Sequence, residues 1–112
     1  MKLSELVRAL GYEVLVEGAE GDVSAGYTSD LLSDVMANCP DEAVWITIQR
    51  HMNVIAVAQL KRISAIVMVN QTEPDAPVLG RARDEGIYVL KTRDNAFQAS
   101  GKIYALLEKG SA

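Results

Sequence analysis

The chain has 112 residues, of which 49% are hydrophobic, enough for one compact domain with its own core. Its net charge of −4, with acidic and basic residues interspersed, excludes the concentrated basic surface of a nucleic-acid-binding protein. The longest apolar runs, such as 54–58 and 65–69, are far shorter than the roughly 20 residues that span a bilayer. We therefore predict a single domain over residues 1–112, with a core at about 3–108, that contacts neither nucleic acid nor membrane.

The redox setting follows from the cysteine count. Cys39 is the only cysteine, so no intramolecular disulfide can form. The stretch after Met1 lacks the apolar core of a signal peptide. Both observations favour a reducing cytoplasm.

The first quarter of the chain predicts a helix and two strands. Apolar residues recur at helical spacing from the start, and Ser4 and Gly11 stand where this helix would be capped and would end. Strands are then predicted at 12–16 and 22–27, with a turn between them at 18–21.

From Thr28 onward, helical and strand patterns alternate. The predicted elements are, in order, a helix capped by Ser29 or Asp30 and ended at 38–40, a strand at 44–48, a helix at 53–62, a strand at 65–69, a helix that starts at Thr72–Asp75 and ends at Gly86, a strand at 87–90, and a helix from Asp94 or Asn95. The strand at 65–69 is apolar throughout, as in sheets covered on both faces. Short loops between these units favour an α/β single layered domain, with a mostly parallel central sheet flanked by helices.

The helical patterns also predict which side chains face the core. The expected inward residues are Leu31, Leu32, Val35 and Met36 in the helix after Thr28, Val54, Val57, Ala58 and Leu60 in the helix at 53–62, and Phe97, Gly101, Tyr104 and Leu106 or Leu107 in the last helix. Gly101 is expected to allow close approach of a neighbouring element.

Polar residues follow each strand of the predicted parallel sheet. Strand carboxyl ends and the helix N-termini after them meet at one edge, where exposed N–H groups can hold an anion. The candidate ligand-binding residues there are Thr28, Ser29, Thr47, Gln49, Arg50, His51, Asn53, Asn70, Thr72 and Thr92. Because helix N-termini and Arg50 both favour negative charge, the expected ligand is an anionic small molecule such as a nucleotide or phosphorylated metabolite.

The sequence gives little support for a catalytic site or a metal site. His51 has no second histidine at metal-ligand spacing, and the sequence favours a loop residue that caps a carbonyl or lies in solvent over a ligand contact. Cys39 has no base beside it, and the pairs Ser29–Asp30 and Ser33–Asp34 are explained by helix starts. Neither a P-loop nor a dinucleotide fingerprint occurs. We predict no catalytic residue, no metal and no cofactor.

Two stretches carry a family resemblance. Residues 23–38, with the run S-D-L-L-S-D-V-M-A at 29–37, and residues 45–49 followed by 53–58, resemble the DRTGG domain. The likeness extends from about residue 3 to residue 104, although the Asp-Arg-Thr-Gly-Gly pentapeptide itself does not occur. It implies an α/β domain similar to the N-terminal domain of the bacterial phosphocarrier-protein serine kinase, without the catalytic half that carries the P-loop.

The resemblance also implies a role. Such domains lie beside CBS domains in some pyrophosphatases and within some phosphotransacetylases, where they look like regulatory or dimerising modules. The expected function is therefore a non-catalytic regulatory or interaction module, a homodimer associated with a larger metabolic enzyme, because a small domain gains stability by burying an apolar face in a partner. The alternatives are a small-ligand sensor at the strand carboxyl edge and an enzyme with its own chemistry.

Overall fold

Ten elements follow one another in residues 1–110, the part of the chain that the computed structural model describes. The helices are α1 Leu3–Leu10, α2 Leu32–Asn38, α3 Asn53–Leu60, α4 Ala76–Glu85 and α5 Ala96–Gly110. The strands are β1 Glu13–Val16, β2 Ala25–Thr28, β3 Ala43–Thr47, β4 Ala65–Met68 and β5 Tyr88–Lys91. The last two residues of the predicted domain lie outside the described residues.

The strands form one sheet in the order β1-β5-β4-β3-β2. The pairs β2/β3, β3/β4 and β4/β5 are parallel, and only β1 pairs antiparallel, with β5. This arrangement confirms the predicted α/β class and its mostly parallel sheet. The second strand is shorter than expected, because Asp22 forms only an isolated bridge with Lys2.

Helices cover both faces of the sheet. One core contains Val35 of α2, Ile55 of α3 and Ala82 of α4, packed with sheet residues that include Trp45. The other contains Leu6 of α1 and Ile103 of α5. The division follows from the topology, because successive right-handed crossovers carry α2, α3 and α4 to one face, whereas α5 returns over the other face to reach β2.

Several predicted caps are wrong, and in two of them, Ser4 and Asp30, a distant partner binds the side chain that would cap the helix. Ser4 lies inside α1 and donates its hydroxyl to Glu20, at 2.5 Å. Neither Ser29 nor Asp30 caps α2, which begins without a side-chain cap. Thr72 precedes α4, whose N-cap is Asp75 and is also without a side-chain hydrogen bond. Local sequence signals a helix start, but it does not decide which acceptor a hydroxyl or carboxylate finds.

Two predicted helix ends are confirmed. Gly11 and Gly86 adopt the left-handed conformation, with φ of 65° and 69°, and terminate α1 and α4. At the start of α5, Asn95 and Gln98 each accept the backbone N–H of the other through their side chains. This reciprocal cap needs only residues three apart in sequence, so it could be predicted locally.

Five side chains predicted to face the core are instead exposed. They are Leu31 at 64%, Met36 at 40%, Leu60 at 71%, Phe97 at 88% and Tyr104 at 68%. In α5 the buried residues are Ala99 and Ile103, and nothing approaches the Cβ position of Gly101 within 4 Å. The helix carries apolar residues on two stripes, and its docking angle on the sheet determines which stripe is covered.

Candidate functional site

The candidate ligand-binding residues all lie in or just after the carboxyl ends of the four parallel strands. Thr28 ends β2 and Ser29 follows it, Thr47 ends β3 and the candidates at 49–53 follow it, Asn70 and Thr72 follow β4, and Thr92 follows β5. Because these strands are parallel neighbours, their carboxyl ends share one edge of the sheet. We call this region the carboxyl edge. The structure divides it into two groups of residues.

Asp30 organises the first group. One of its carboxylate oxygens, Oδ1, accepts the Thr47 hydroxyl at 2.8 Å and the Ile48 backbone N–H at 2.9 Å. The Gln49 side-chain amide donates to the Asp30 carbonyl oxygen at 2.7 Å. Thr47 is buried, and its hydroxyl also accepts the Gln49 backbone N–H at 3.0 Å. Thr47 and Gln49 therefore join the loop after β2 to the end of β3.

Thr28 and Ser29 have internal partners too. The Thr28 and Ser100 hydroxyl oxygens are 2.7 Å apart, which links β2 to α5. The Ser29 carbonyl oxygen accepts the indole N–H of the buried Trp45 at 2.8 Å, and the Ser29 hydroxyl accepts the Leu31 backbone N–H at 3.2 Å. These bonds fix the backbone of the loop that leads into α2.

The second group lies between β4 and β5. Asn70 and Gln71 both have positive φ, 56° and 60°, and the Thr72 N–H donates to the Val69 carbonyl at 3.1 Å. Two left-handed residues inside a four-residue turn are the mark of a type I′ turn. The Asn70 N–H donates to the Asp94 carbonyl at 2.9 Å, and the Gln71 N–H donates to the Thr92 carbonyl at 2.8 Å. These two hydrogen bonds join the loop after β4 to the loop after β5.

At this second group the connections after β4 and β5 leave toward opposite faces of the sheet. After β4 the chain turns to α4 on one face of the sheet, and after β5 it turns to α5 on the other face. Adjacent strands whose connections leave in opposite directions define the topological switch point of an open α/β sheet, where a crevice opens. A polar pocket of about 350 Å³ lies beside it and is lined by Gly11, Tyr12, Glu13, Gln71, Lys91, Thr92 and Arg93.

Positive side chains are exposed in both groups. Arg50 and His51 are exposed in the loop after β3, and the exposed Asn53 follows at the start of α3. Within residues 1–110, the side chains of Arg50 and His51 make no hydrogen bond or ion pair. Arg93 is exposed beside the polar pocket. Lys91 is half-buried and donates to Glu73 at 2.8 Å, a hydrogen bond that raises the pKa of Lys91.

A cluster behind the pocket holds β1 and α5 together. Asp94 accepts the Tyr12 hydroxyl at 2.7 Å and the Lys102 ammonium at 2.6 Å. These two donors, Lys102 foremost, lower the pKa of Asp94. Burial, and then the hydrogen bond to Asp94, raises the pKa of Tyr12. Tyr12 is therefore a neutral hydroxyl over the physiological range.

Sequence reasoning missed Asp30, Lys91 and Arg93 as members of this region. The sequence predicts a helix cap for Asp30, and its position two residues after a strand is the one local signal of another role. Lys91 and Arg93 flank the candidate Thr92. Side chains alternate along an extended segment, so only the three-dimensional structure shows which of these neighbours borders a pocket.

A second, apolar surface lies where α5 crosses the edge strand β2. A cavity of about 400 Å³ is lined by Gly26, Thr28, Ile46, Phe97, Ser100, Gly101, Ile103, Tyr104 and Leu107. A second of about 280 Å³ continues it and is lined by Ser24, Ala25, Gly26, Tyr104, Leu107 and Glu108. We call these two cavities together the β2 groove. It runs the length of β2, and Glu108 is the one charged side chain among the described residues that line it.

The described residues offer few reactive groups. Among residues 1–110, no three His, Cys, Asp or Glu side chains are placed to hold a metal ion. Cys39 is buried, and burial raises the pKa of its thiol, which favours the unreactive protonated form. No helix in the described part of the chain is long and apolar enough to cross a membrane.

No family model matches the chain, and no curated protein matches it in sequence. Among solved structures, it is similar to the CBS and DRTGG domains of the regulatory region of Clostridium perfringens pyrophosphatase, a structure complexed with the activator diadenosine tetraphosphate. The TM-score is 0.67 at 14% identity, over 90% of this chain and 45% of that one. At this identity the likeness shows the fold alone, which is DRTGG-like.

Proposed function

We propose that this chain is a non-catalytic regulatory module that forms a homodimer and acts on a larger metabolic enzyme. The observation that carries the proposal is the β2 groove, where two large aromatic side chains, Phe97 and Tyr104, are exposed beside an edge strand. Contiguous apolar surface of this kind marks a protein–protein interaction site in soluble proteins. The regulatory region that shares the fold supports a regulatory role.

Light scattering of the purified protein tests this proposal. At micromolar concentration the mass should be about twice the 12.1 kDa of one chain. A monomer over the whole range of concentration would contradict it. Affinity capture from the native host should then retain an enzyme subunit in addition to the second copy.

A specific observation favours a second candidate, an anion sensor at the carboxyl edge. Arg50, His51 and Arg93 are exposed there, beside loops whose backbone is fixed by Asp30 and by the turn at 69–72. Preorganised loops with exposed arginines suit a phosphorylated small molecule. In this form of the proposal the ligand would change how the module binds its enzyme.

Thermal-shift measurements test the sensor. The probes are mononucleotides, inorganic phosphate and diadenosine tetraphosphate, the activator present in the structure of similar fold. A ligand at a hundredfold excess over its dissociation constant stabilises the folded state by roughly 2.7 kcal/mol. Arg50→Ala or Arg93→Ala should abolish the shift, whereas Lys109→Ala, exposed at the far end of α5, should not. If no probe raises the melting temperature, the sensor is ruled out for these ligands.

A further inference from the structure

The edge strand β2 lacks the usual protection against pairing with another chain. Its four residues, Ala25–Thr28, contain neither charge nor proline, and the flanking residues Ser24 and Ser29 are also uncharged. Natural edge strands normally carry a lysine, a proline or a bulge that prevents association. None of these occurs in β2, which pairs in regular parallel register with β3 along its whole length.

Exposed apolar side chains flank this strand on both faces of the sheet. On one face α5 presents Phe97 and Tyr104. On the other, the helix that follows β2 presents Met36, preceded by the exposed Leu31. The unpaired edge of β2 therefore has exposed apolar side chains on both faces of the sheet. Such a surface suits a partner that adds a strand to β2 and packs one helix against α5 and another against α2.

The charge pattern identifies the partner as a second copy. Close to a two-fold axis a charged residue meets its own copy, and each copy of this chain carries a net charge of −4. Two copies therefore approach most favourably through a neutral surface. The β2 groove is neutral apart from Glu108 at one end, whereas a partner with complementary charge would need charged residues in the groove.

The exposed area is sufficient for a dimer of this kind. Phe97 and Tyr104 are mostly exposed, and aromatic side chains bury roughly 150–250 Å² each. Both pairs together would supply on the order of 600 Å² of the roughly 1,600 Å² that a standard interface buries. Met36, Leu31 and the two β2 strands would contribute the remainder.

We propose that the second copy docks in the β2 groove, so that the two β2 strands pair antiparallel and the sheet becomes continuous across the two-fold axis. The two α5 helices then lie antiparallel on one face. Tyr104 of each copy packs over Gly101 of the other, where a side chain at Gly101 would meet nothing within 4 Å of the same chain. This docking geometry rests on the homodimer proposed above.

Charge substitution tests the docking surface. Tyr104→Asp should raise the dimer dissociation constant by at least about 30-fold, as expected for an aromatic residue at the centre of an interface. Phe97→Ser is the second variant, and circular dichroism should show that both variants fold. The matched control is Val14→Asp, at an exposed apolar position on the opposite edge strand β1, which should leave the dimer intact.

Disulfide trapping tests the register. Two proteins are made in a Cys39→Ala background, one with Gly101→Cys and the other with Tyr104→Cys, and are mixed under mild oxidation. The mixed disulfide should form faster than either self-disulfide, because only opposed Cα atoms within about 4.4–6.8 Å can be bridged.

The outcomes distinguish the docking geometry from the proposed function. A wild-type dimer that survives both Tyr104→Asp and Phe97→Ser, or that yields no preferred mixed disulfide, overturns the docking geometry but leaves the homodimer standing. A wild-type monomer overturns both. A monomer that instead binds an extended peptide in the groove would identify β2 as an edge for a different chain.

Discussion

Strand β1 closes one edge of the sheet with an antiparallel pairing, and β2 ends the other edge as an uncharged parallel strand. In β1 a bulge interrupts the register between Val14 and Val16, and Glu13 and Glu17 are exposed on either side. These features discourage further strand pairing. These features are absent from β2, which has the apolar groove beside it. This difference supports the proposal that the β2 edge, and not the β1 edge, is a contact surface.

The backbone is packed more tightly at the β1 edge than at the β2 edge. A glycine-to-alanine substitution at each edge tests this difference. A Cβ at Gly18, just after β1, would lie 2.6 Å from the Gly86 carbonyl oxygen and closer still to the Tyr88 backbone nitrogen. Backbone atoms cannot move aside easily, so Gly18→Ala should destabilise the fold by an amount at or above the upper end of the roughly 1–3 kcal/mol typical of overpacking.

Gly26→Ala is the matched change in β2. Its Cβ would meet Ile103 Cγ2 at an ordinary 3.6 Å, and the lost freedom of the unfolded chain should stabilise the protein by about 0.4–1 kcal/mol. Urea unfolding of both variants measures the difference. Equal destabilisation would show that the β2 edge is as tightly packed as the β1 edge.

The anchoring of the β2 edge depends on one carboxylate. Asp30→Ala removes the acceptor of the buried Thr47 hydroxyl and of the Ile48 N–H, and should cost about 1–3 kcal/mol. Asp30→Asn keeps one acceptor oxygen and should cost less. Chemical denaturation of the three proteins gives the comparison, and an Asp30→Ala variant as stable as wild type would refute this anchoring role.

The β1 edge depends instead on the cluster of Tyr12, Asp94 and Lys102, which gives it a small pH dependence. Because its pKa is lowered, chiefly by Lys102, the Asp94 carboxylate stabilises the fold at pH values above its ordinary pKa of 3.8. This contribution is lost as the pH falls below 3.8. In Asp94→Asn, the free energy of unfolding should therefore vary less over that acidic range than in wild type.

Tyr12 supplies the alkaline counterpart. Burial and the bond to Asp94 raise its pKa above the ordinary 10.0, so its stabilising effect is complete below pH 10 and declines as the pH rises further. Tyr12→Phe should flatten the alkaline decline measured by urea unfolding. If the decline persists unchanged in this variant, a group other than Tyr12 is responsible for it.

Much of this fold was predictable because its signals are local. The strand at 65–69 is apolar throughout, and burial on both faces follows from the helices predicted on either side of it in sequence. Gly11 and Gly86 end helices because few other residues adopt a left-handed conformation at low cost. Alternating strands and helices then leave few topologies other than a parallel sheet.

The candidate site was predictable only as a region. The carboxyl edge follows from strand direction, and so the ten candidate residues lie along it. Their partners do not follow from sequence: Asp30 reaches Thr47 across 17 positions, and Asp94 reaches Tyr12 across 82 positions. Whether these candidate residues bind a ligand stays a prediction.

The α/β class, the order of the elements and the edge where polar residues gather all follow from the amino-acid sequence, because hydrophobic period, glycine and strand direction act over a few residues. The exposure of Phe97 and Tyr104 and the burial of Ala99 and Ile103 depend instead on long-range packing. Helix α5 has apolar residues on both stripes, so its hydrophobic period does not show which stripe is buried against the sheet. The choice is made by how α5 lies across β2 and β3, a contact between segments far apart in the chain.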